Sequence, residues 1–271
     1  MALLAHMPQN KDGKTMKAYD YDQYGDLFDI LELQGESESK ETNAFLHKCF
    51  KKHGVKNVFD ISCGTGAQLI GLKRSGYKVK GSDLSEKMLQ IAKDKCYGLG
   101  IRFKQADMRK ITWGKNDAVI SMFNSIGHLS KKGFDEALDN VSSNLKKGGI
   151  FAFDIFNTDF GKLPGAILPE EFIETVKEIE GITVIRFVKC KLNPKTGVLR
   201  LSYRTYVQDG YNVPDILEWA WDMQCYSPMQ LTKKLAAKGF ENITFYDEHK
   251  TKRAAEGLAL SKSIYCTCTK G

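Results

Sequence analysis

Long apolar runs are missing from the chain. None approaches the roughly 18–20 residues that cross a bilayer, so no helical membrane span is expected. The opening Met1-Ala2-Leu3-Leu4-Ala5 lacks the basic lead of a secretory signal and turns polar at once. His6-Met7 reads as the end of an added leader, which would put the natural start at or after Met7. Seven cysteines are present (Cys49, Cys63, Cys96, Cys190, Cys225, Cys266 and Cys268), but CxxC spacing is not. An odd count without an export signal argues for free thiols in a reducing cytoplasm. Cys266 and Cys268 are expected to send their thiols to opposite faces of a strand, which does not suit chelation, so no metal site is expected. Dense Lys/Arg blocks, helix-turn-helix patterns and zinc-finger patterns are also lacking, which argues against a nucleic-acid partner. There is no internal repeat and no low-complexity segment.

What is present suffices for a folded core. The chain has 271 residues, 42% of them hydrophobic and 27% charged, the composition of an ordinary globular protein. Its length allows one large domain or a domain carrying an insertion. The net charge of +7 comes from lysines placed singly or in pairs, with acids interleaved. That distribution suits a solvated surface; a modest basic funnel for a phosphorylated small substrate is the other reading.

Short apolar strands alternate with helical patterns through the first 156 residues, the signature of a parallel sheet. Val58-Phe59-Asp60-Ile61, Tyr77 to Gly81, Ile101-Arg102-Phe103, Asp117 to Met122 and Ile150 to Ile155 read as five strands. Ser85 is placed to cap a helix carrying Met88, Leu89 and Ala92, and Gly98 and Gly100 end it. Phe134, Leu138, Val141 and Leu145 form one buried helical stripe. From Glu171 to Tyr226 the period changes to two, predicting an inserted antiparallel sheet. Ser227-Pro228 begins a helix with Leu231 and Leu235 facing inward. Phe240 to Tyr246 and Ser263 to Thr269 close the sheet. The expected class is therefore α/β: a Rossmann-like, doubly wound, mostly parallel seven-stranded sheet with an antiparallel β insertion. The expected division is 1–40 as N-terminal segment and lid, 41–160 as core, 161–226 as insertion and 227–271 as the C-terminal part of the core.

Asp60-Ile61-Ser62-Cys63-Gly64-Thr65-Gly66 lies between a buried strand and a helix. Glycines there let the chain turn tightly and let a ligand approach the main chain beside a positive helix end. A carboxylate at Asp60 suits an ammonium and would repel a pyrophosphate. Leu69 stands where a dinucleotide fingerprint needs Gly or Ala. Asp83 ends the second strand, where an acid can accept from both ribose hydroxyls. Asp107 follows the third strand, where it can accept from an adenine amine with Met108 against the ring. Singly, each carboxylate could be a helix cap or a strand terminator. At the carboxyl ends of three successive parallel strands, the set asks for an adenosine with an amino-acid tail and no phosphates.

Residues 58–157 resemble class I S-adenosylmethionine-dependent methyltransferases. The resemblance implies S-adenosyl-L-methionine as donor and S-adenosyl-L-homocysteine as product. It implies that Asp60, Ser62, Gly64 and Gly66 border the methionine tail, and that Asp83, with Leu84 and Met88 nearby, holds the ribose. Asp107 and Met108 would hold the adenine, and Met122 would complete the donor site. Ser62 departs from the glycine found in many members.

The acceptor is expected beyond the fourth strand, along Ser121-Met122-Phe123-Asn124-Ser125-Ile126-Gly127-His128-Leu129. His128 could take an ammonium proton or orient an acceptor; equally, it could be a structural hydrogen-bonder. The run resembles one in N-methyltransferases acting on amino sugars of nucleotide-linked deoxysugars, and Tyr24-Gly25-Asp26-Leu27-Phe28-Asp29 resembles their opening helix. Tyr19, Tyr21 and Tyr24 could close over the donor sulfonium, with Tyr24 reaching the chemistry, or could anchor the segment by packing. Asn124, Tyr203 and Trp221, with Arg200, Arg204 and Trp219 nearby, are candidate acceptor-pocket residues. The expected activity is methyl transfer to an amine nitrogen of a small polar molecule, by a monomer or homodimer. The rival readings are an oxygen or carbon acceptor, RNA or protein as target, and a non-catalytic donor-binding protein.

Overall fold

The computed structural model describes residues 28–31, 39–160, 172–179, 181–247, 249–253, 258 and 261–271. The proposed lid tyrosines, Tyr19, Tyr21 and Tyr24, lie outside these residues.

The core is one sheet. Strands β1 (Asn57–Asp60), β2 (Lys78–Asp83), β3 (Arg102–Gln105), β4 (Asn116–Ser121) and β5 (Leu145–Phe156) run parallel. Strands β10 (Phe240–Tyr246), β11 (Lys252–Arg253) and β12 (Ser263–Lys270) complete it in the order β11-β10-β12-β5-β4-β1-β2-β3. Strand β12 runs antiparallel to both β5 and β10. Seven strands match the expectation. The eighth, β11, is a two-residue edge pairing through Phe245 and Tyr246, too short to leave a pattern in the sequence.

Both faces of the sheet are covered, as parallel strands require. Alternation sends Phe59, Val119, Phe151 and Phe153 to one side, against α5 (Lys131–Asn144) and α6 (Pro228–Ala237). Val58, Ala118, Ile120 and Ala152 go to the other, against α2 (Lys40–Lys52) and α3 (Ala67–Arg74). Phe134, Leu138 and Val141 of α5 are fully buried, as are Leu231 and Leu235 of α6. Each such side chain contributes about 1.5–3 kcal/mol. Ser227 caps α6 through a reciprocal pair of bonds with Gln230, and Ser85 caps α4 (Glu86–Lys95) by accepting from Met88 N.

The cysteine pair corrects an expectation. Cys266 and Cys268 are both buried in one cluster, on the same side of β12, because positions two apart on a strand share a face. All seven thiols are free. Among the described residues no group of His, Cys, Asp and Glu is placed to hold a metal, and no helix is long and apolar enough to cross a membrane.

Between β5 and α6 the chain forms a separate antiparallel sheet of β6 (Phe172–Ile179), β7 (Ile182–Asn193), β8 (Val198–Asp209) and β9 (Asp215–Gln224). Its apolar face carries Val184, Val188, Leu201, Tyr203, Leu217, Trp219 and Met223. That face packs with Phe28 of α1 (Phe28–Leu31) and Met88 of α4, so it lies over the carboxyl ends of the core strands. The two ends of the insertion meet where Tyr226 N donates to Phe156 O at 3.1 Å.

Candidate active site

A cavity of about 860 Å³ opens at the carboxyl ends of β1, β2, β4 and β5, beneath the inserted sheet. On one side it is lined by Ser62, Gly64, Asp83, Leu84, Met88, Asp107 and Met108. Met122, Asn124, His128, Tyr203 and Trp221 line the remainder. These twelve expected site residues thus share one space. Its size suits a nucleoside with an amino-acid tail plus a small second molecule.

Loop geometry explains the first group. Gly64 adopts φ 50 and Gly66 φ 88, left-handed conformations that favour glycine. Asp83 at the end of β2 is fixed by two main-chain donors, Gly64 N to Oδ2 at 2.9 Å and Ser85 N to Oδ1 at 3.0 Å. Ser62 Oγ lies 2.9 Å from Ser121 Oγ, joining the loop after β1 to the end of β4. The opening helix also reaches this loop, where Thr65 Oγ1 donates to Asp29 Oδ1 at 2.6 Å.

Two of the expected donor-site residues do not line the cavity. Asp60 is buried below it, accepting from Ser62 N at 3.1 Å; burial raises its pKa to about 7. It braces the loop from beneath. Gly66 turns toward α4: a Cβ there would lie 3.2 Å from Cys96 Sγ and 3.4 Å from Ala92 Cβ. Its lack of a side chain serves helix packing.

Asp107 faces the cavity with a partner that sequence reasoning missed. Arg109 Nε donates to both carboxylate oxygens, at 2.9 and 3.0 Å. This bonding holds the Asp107 pKa below the ordinary carboxylate range. Arg109 itself lines the cavity.

The second group comes from the β4 exit and the insertion. Phe123 and Asn124 have φ 57 and 55, two successive non-glycine residues in the left-handed region, where each costs about 1–3 kcal/mol. The strain is held by Asn124 N donating to Asp154 Oδ2 and by Phe156 N donating to Asn124 Oδ1, each at 3.0 Å. His128 ends the following 3₁₀ turn (Ser125–His128). Its ring is edge-on to Trp221, with centroids 5.3 Å apart. Trp221 in turn lies 5.6 Å from Tyr203, and the Arg186 guanidinium sits 5.1 Å over the Tyr203 ring. The His128 ring is open to the cavity but enclosed by protein elsewhere, and desolvation lowers its pKa to about 4. Water in the cavity works against that shift, yet with or without it the imidazole is neutral at neutral pH.

Other candidates in the insertion fall away. Arg200 pairs with Asp222 and Arg204 with Glu218 on the exposed face. Trp219 is buried and stacks on Tyr203 at 5.4 Å without lining the cavity. Sequence reasoning missed Asp154 and Arg186, both buried and both in the cavity wall. Asp154 left a signal: like the other three acids, it sits near the carboxyl end of a core strand.

Residues 58–149 match the model of the methyltransferase-domain family. In that span the chain is similar to a methyltransferase domain. Three curated relatives are similar to this chain. A Bacillus subtilis methyltransferase is 39% identical over 105 residues, 37% of this chain and 42% of that protein. Human glycine N-methyltransferase is 27% identical over 221 residues, 70% of this chain and 73% of that protein. A dTDP-3-amino-3,6-dideoxy-alpha-D-glucopyranose N,N-dimethyltransferase from Streptomyces fradiae is 30% identical over 136 residues, 48% of this chain and 52% of that protein. The chain thus spans about half the length of the Bacillus and Streptomyces relatives. In fold, it is similar to an S-adenosylmethionine-dependent methyltransferase from Clostridium acetobutylicum, at TM-score 0.74 and 19% identity over 93% of this chain and 99% of that one. It is also similar to an amino pentose methyltransferase from Micromonospora echinaspora solved with S-adenosylmethionine bound, at TM-score 0.68 and 19% identity over 85% and 90%.

Proposed function

We propose that this methyltransferase transfers a methyl group to an amine nitrogen of a small polar molecule. The observation that carries the reading is His128, a neutral imidazole in the wall of the cavity that Gly64 and Asp83 also line. An amine arrives at neutral pH largely protonated, and its lone pair attacks only after a proton leaves. A neutral imidazole relays that proton toward solvent, and its lowered pKa makes it a carrier of the proton and not its resting place. Two of the relatives above carry names that specify N-methylation, which supports the same reading.

S-adenosylmethionine, when bound, supplies a methyl group already activated on a sulfonium. The protein's task is then mainly to hold two partners in line and exclude water. Gly64 and Ser62 border the amino-acid tail, and Asp60 stiffens their loop. Asp83 would hold the ribose hydroxyls. Leu84 and Met88 flank the sugar, Met108 and Asp107 flank the adenine, and Met122 closes the floor. Asn124, His128, Tyr203 and Trp221 form the acceptor wall. Residues 41–160 and 227–271 act as the donor-binding core and 161–226 as the acceptor cover. The seven free thiols suit a reducing compartment such as the cytoplasm.

The test is incubation of the purified protein with methyl-labelled donor, a panel of small amines and a cell extract. Label on nitrogen of a small product is expected. Label on an oxygen or carbon acceptor, with no amine consumed, would falsify the amine reading; label on RNA would replace the small molecule altogether.

A further inference from the structure

We propose that Arg109 meets the base of the methyl donor, with Asp107 as its anchor, so that the site reads the acceptor atoms of the purine and tolerates loss of its amine. The inference rests on the donor-site reading above and assigns base selectivity to one side chain.

The accepting capacity of the carboxylate carries the argument. An ionised carboxylate offers about four lone-pair positions on its two oxygens. Asp107 Oδ1 accepts from Arg109 N and from Arg109 Nε, each at 2.9 Å. Oδ2 accepts from the same Nε at 3.0 Å and from Nη2. Those bonds use the available positions, and they hold the Asp107 pKa below the ordinary carboxylate range. An adenine amine is a donor, and a carboxylate so occupied has little left to accept it with. The guanidinium keeps further N–H donors on Nη1, which lies 3.9 Å from Glu136 Oε2, outside hydrogen-bond distance. Arg109 lines the cavity with 37% of its side chain exposed, against 21% for Asp107.

Neighbouring groups fix the pair in place. The arginine arm runs beside Gly133 of α5, where an added Cβ would stand 3.5 Å from Arg109 Cδ. Asn140 of the same helix donates to Met108 O at 2.9 Å. Lys110 N and Ile111 N both donate to Asp107 O, at 2.9 and 3.1 Å. The backbone around Met108 is therefore pinned, and the chelate spans only two positions along it. An isolated surface ion pair contributes little. A planar guanidinium bonded through two nitrogens to one carboxylate is stronger and fixes its own orientation.

The two side chains make opposite demands on the base. Adenine presents an amine donor beside the ring acceptor N7, whereas a 6-oxo purine presents an acceptor oxygen in the amine's place. A free carboxylate facing the amine would reject the oxo form, because two acceptors would then oppose each other. A guanidinium donates to N7 of either base, and to the oxygen as well in the second. Selectivity between amine and oxygen therefore tells which residue does the reading.

The probes are S-adenosylhomocysteine and its deaminated form, S-inosylhomocysteine, each titrated into the full chain by calorimetry. The wild-type protein should bind the two within about threefold of each other. Arg109→Ala and Arg109→Gln both release the Asp107 carboxylate. Each variant should therefore prefer S-adenosylhomocysteine by about tenfold or more, the scale of one charge-assisted bond gained against one repulsive contact. R109Q keeps a long arm beside Gly133 and carries the test if thermal melts show that R109A does not fold. A wild-type preference for S-adenosylhomocysteine above about threefold overturns the proposal. So does a preference in the variants that stays at the wild-type value. If S-adenosylhomocysteine itself does not bind the wild-type protein, the donor-site reading falls, and the role of Arg109 falls with it.

Discussion

Asp83 Oδ2 accepts a 2.9 Å hydrogen bond from Gly64 N, so the acid ending the second core strand holds the glycine loop after the first. The carboxylate thus shapes the loop at the edge of the cavity. Asp83→Ala should weaken S-adenosylmethionine binding by about 1–3 kcal/mol, by loss of ligand bonds and of loop order. Asp83→Asn, which keeps an oxygen for Gly64 N, should lose less. Calorimetry with S-adenosylhomocysteine checks both; equal losses would make the loop bond the whole effect.

His128→Ala should lower kcat by about a hundredfold, the scale of a lost general base, with S-adenosylmethionine affinity unchanged. The sign of its pH dependence follows from the lowered pKa. A neutral imidazole persists below the ordinary histidine range of about 6.5, and the rate advantage over the variant is lost only where the ring protonates. The wild-type-to-variant ratio should therefore hold steady down to about pH 5 and shrink as the pH falls through about 4. Rate profiles of the two proteins measure it, and a parallel loss of donor affinity would recast His128 as structural.

Gly81→Ala should destabilise the fold although its φ is not in the left-handed region. A Cβ there would lie 2.6 Å from Leu69 Cδ1 and 2.7 Å from Cys63 Sγ. Overpacking of that kind costs about 1–3 kcal/mol. The displaced Cys63 neighbours Gly64, so the melting temperature and donor affinity should fall together.

Asp117 accepts from Lys56 N, Asn57 N and Asn57 Nδ2 and pairs with Lys146, and these bonds hold its pKa well below the usual carboxylate range. A depressed folded-state pKa adds stability above the unfolded value of about 3.9, and that stability fades as pH falls toward the folded one. Asp117→Asn should lower denaturant stability by about 1–3 kcal/mol at neutral pH, with the difference narrowing below about pH 4. A difference unchanged at low pH would exclude ionisation as its source.

Much of the core was legible because its cues are local. Strand runs, the Ser85 and Ser227 caps and the stripe of Phe134, Leu138 and Val141 each depend on residues a few positions apart, and Asp83 and Asp107 could be placed by their strand ends. The rest depends on contacts between distant segments. Leu69 breaks a dinucleotide fingerprint, yet close packing is restored by Gly81 on the neighbouring strand. Asp107 was read as free to meet an adenine, but Arg109 bonds both of its oxygens. Asp60 ends a strand as expected and still lies beneath the cavity, because the twist of the loop turns its carboxylate to Ser62 N. Asp154 carries the same strand-end cue, but its bond to Asn124 N depends on the β4 exit bending back onto it, which no local pattern shows.

The antiparallel sheet leaves the core at Phe156 and rejoins it at Tyr226, where the two backbones are hydrogen-bonded neighbours. A segment whose ends meet can be lengthened, shortened or exchanged without moving the strands that flank it. Trp221, Tyr203 and Arg186 all belong to that segment, whereas Gly64, Asp83 and Asp107 do not. The share of the cavity wall built from Trp221, Tyr203 and Arg186 can therefore vary as an interchangeable part while the core residues that complete the wall stay constant.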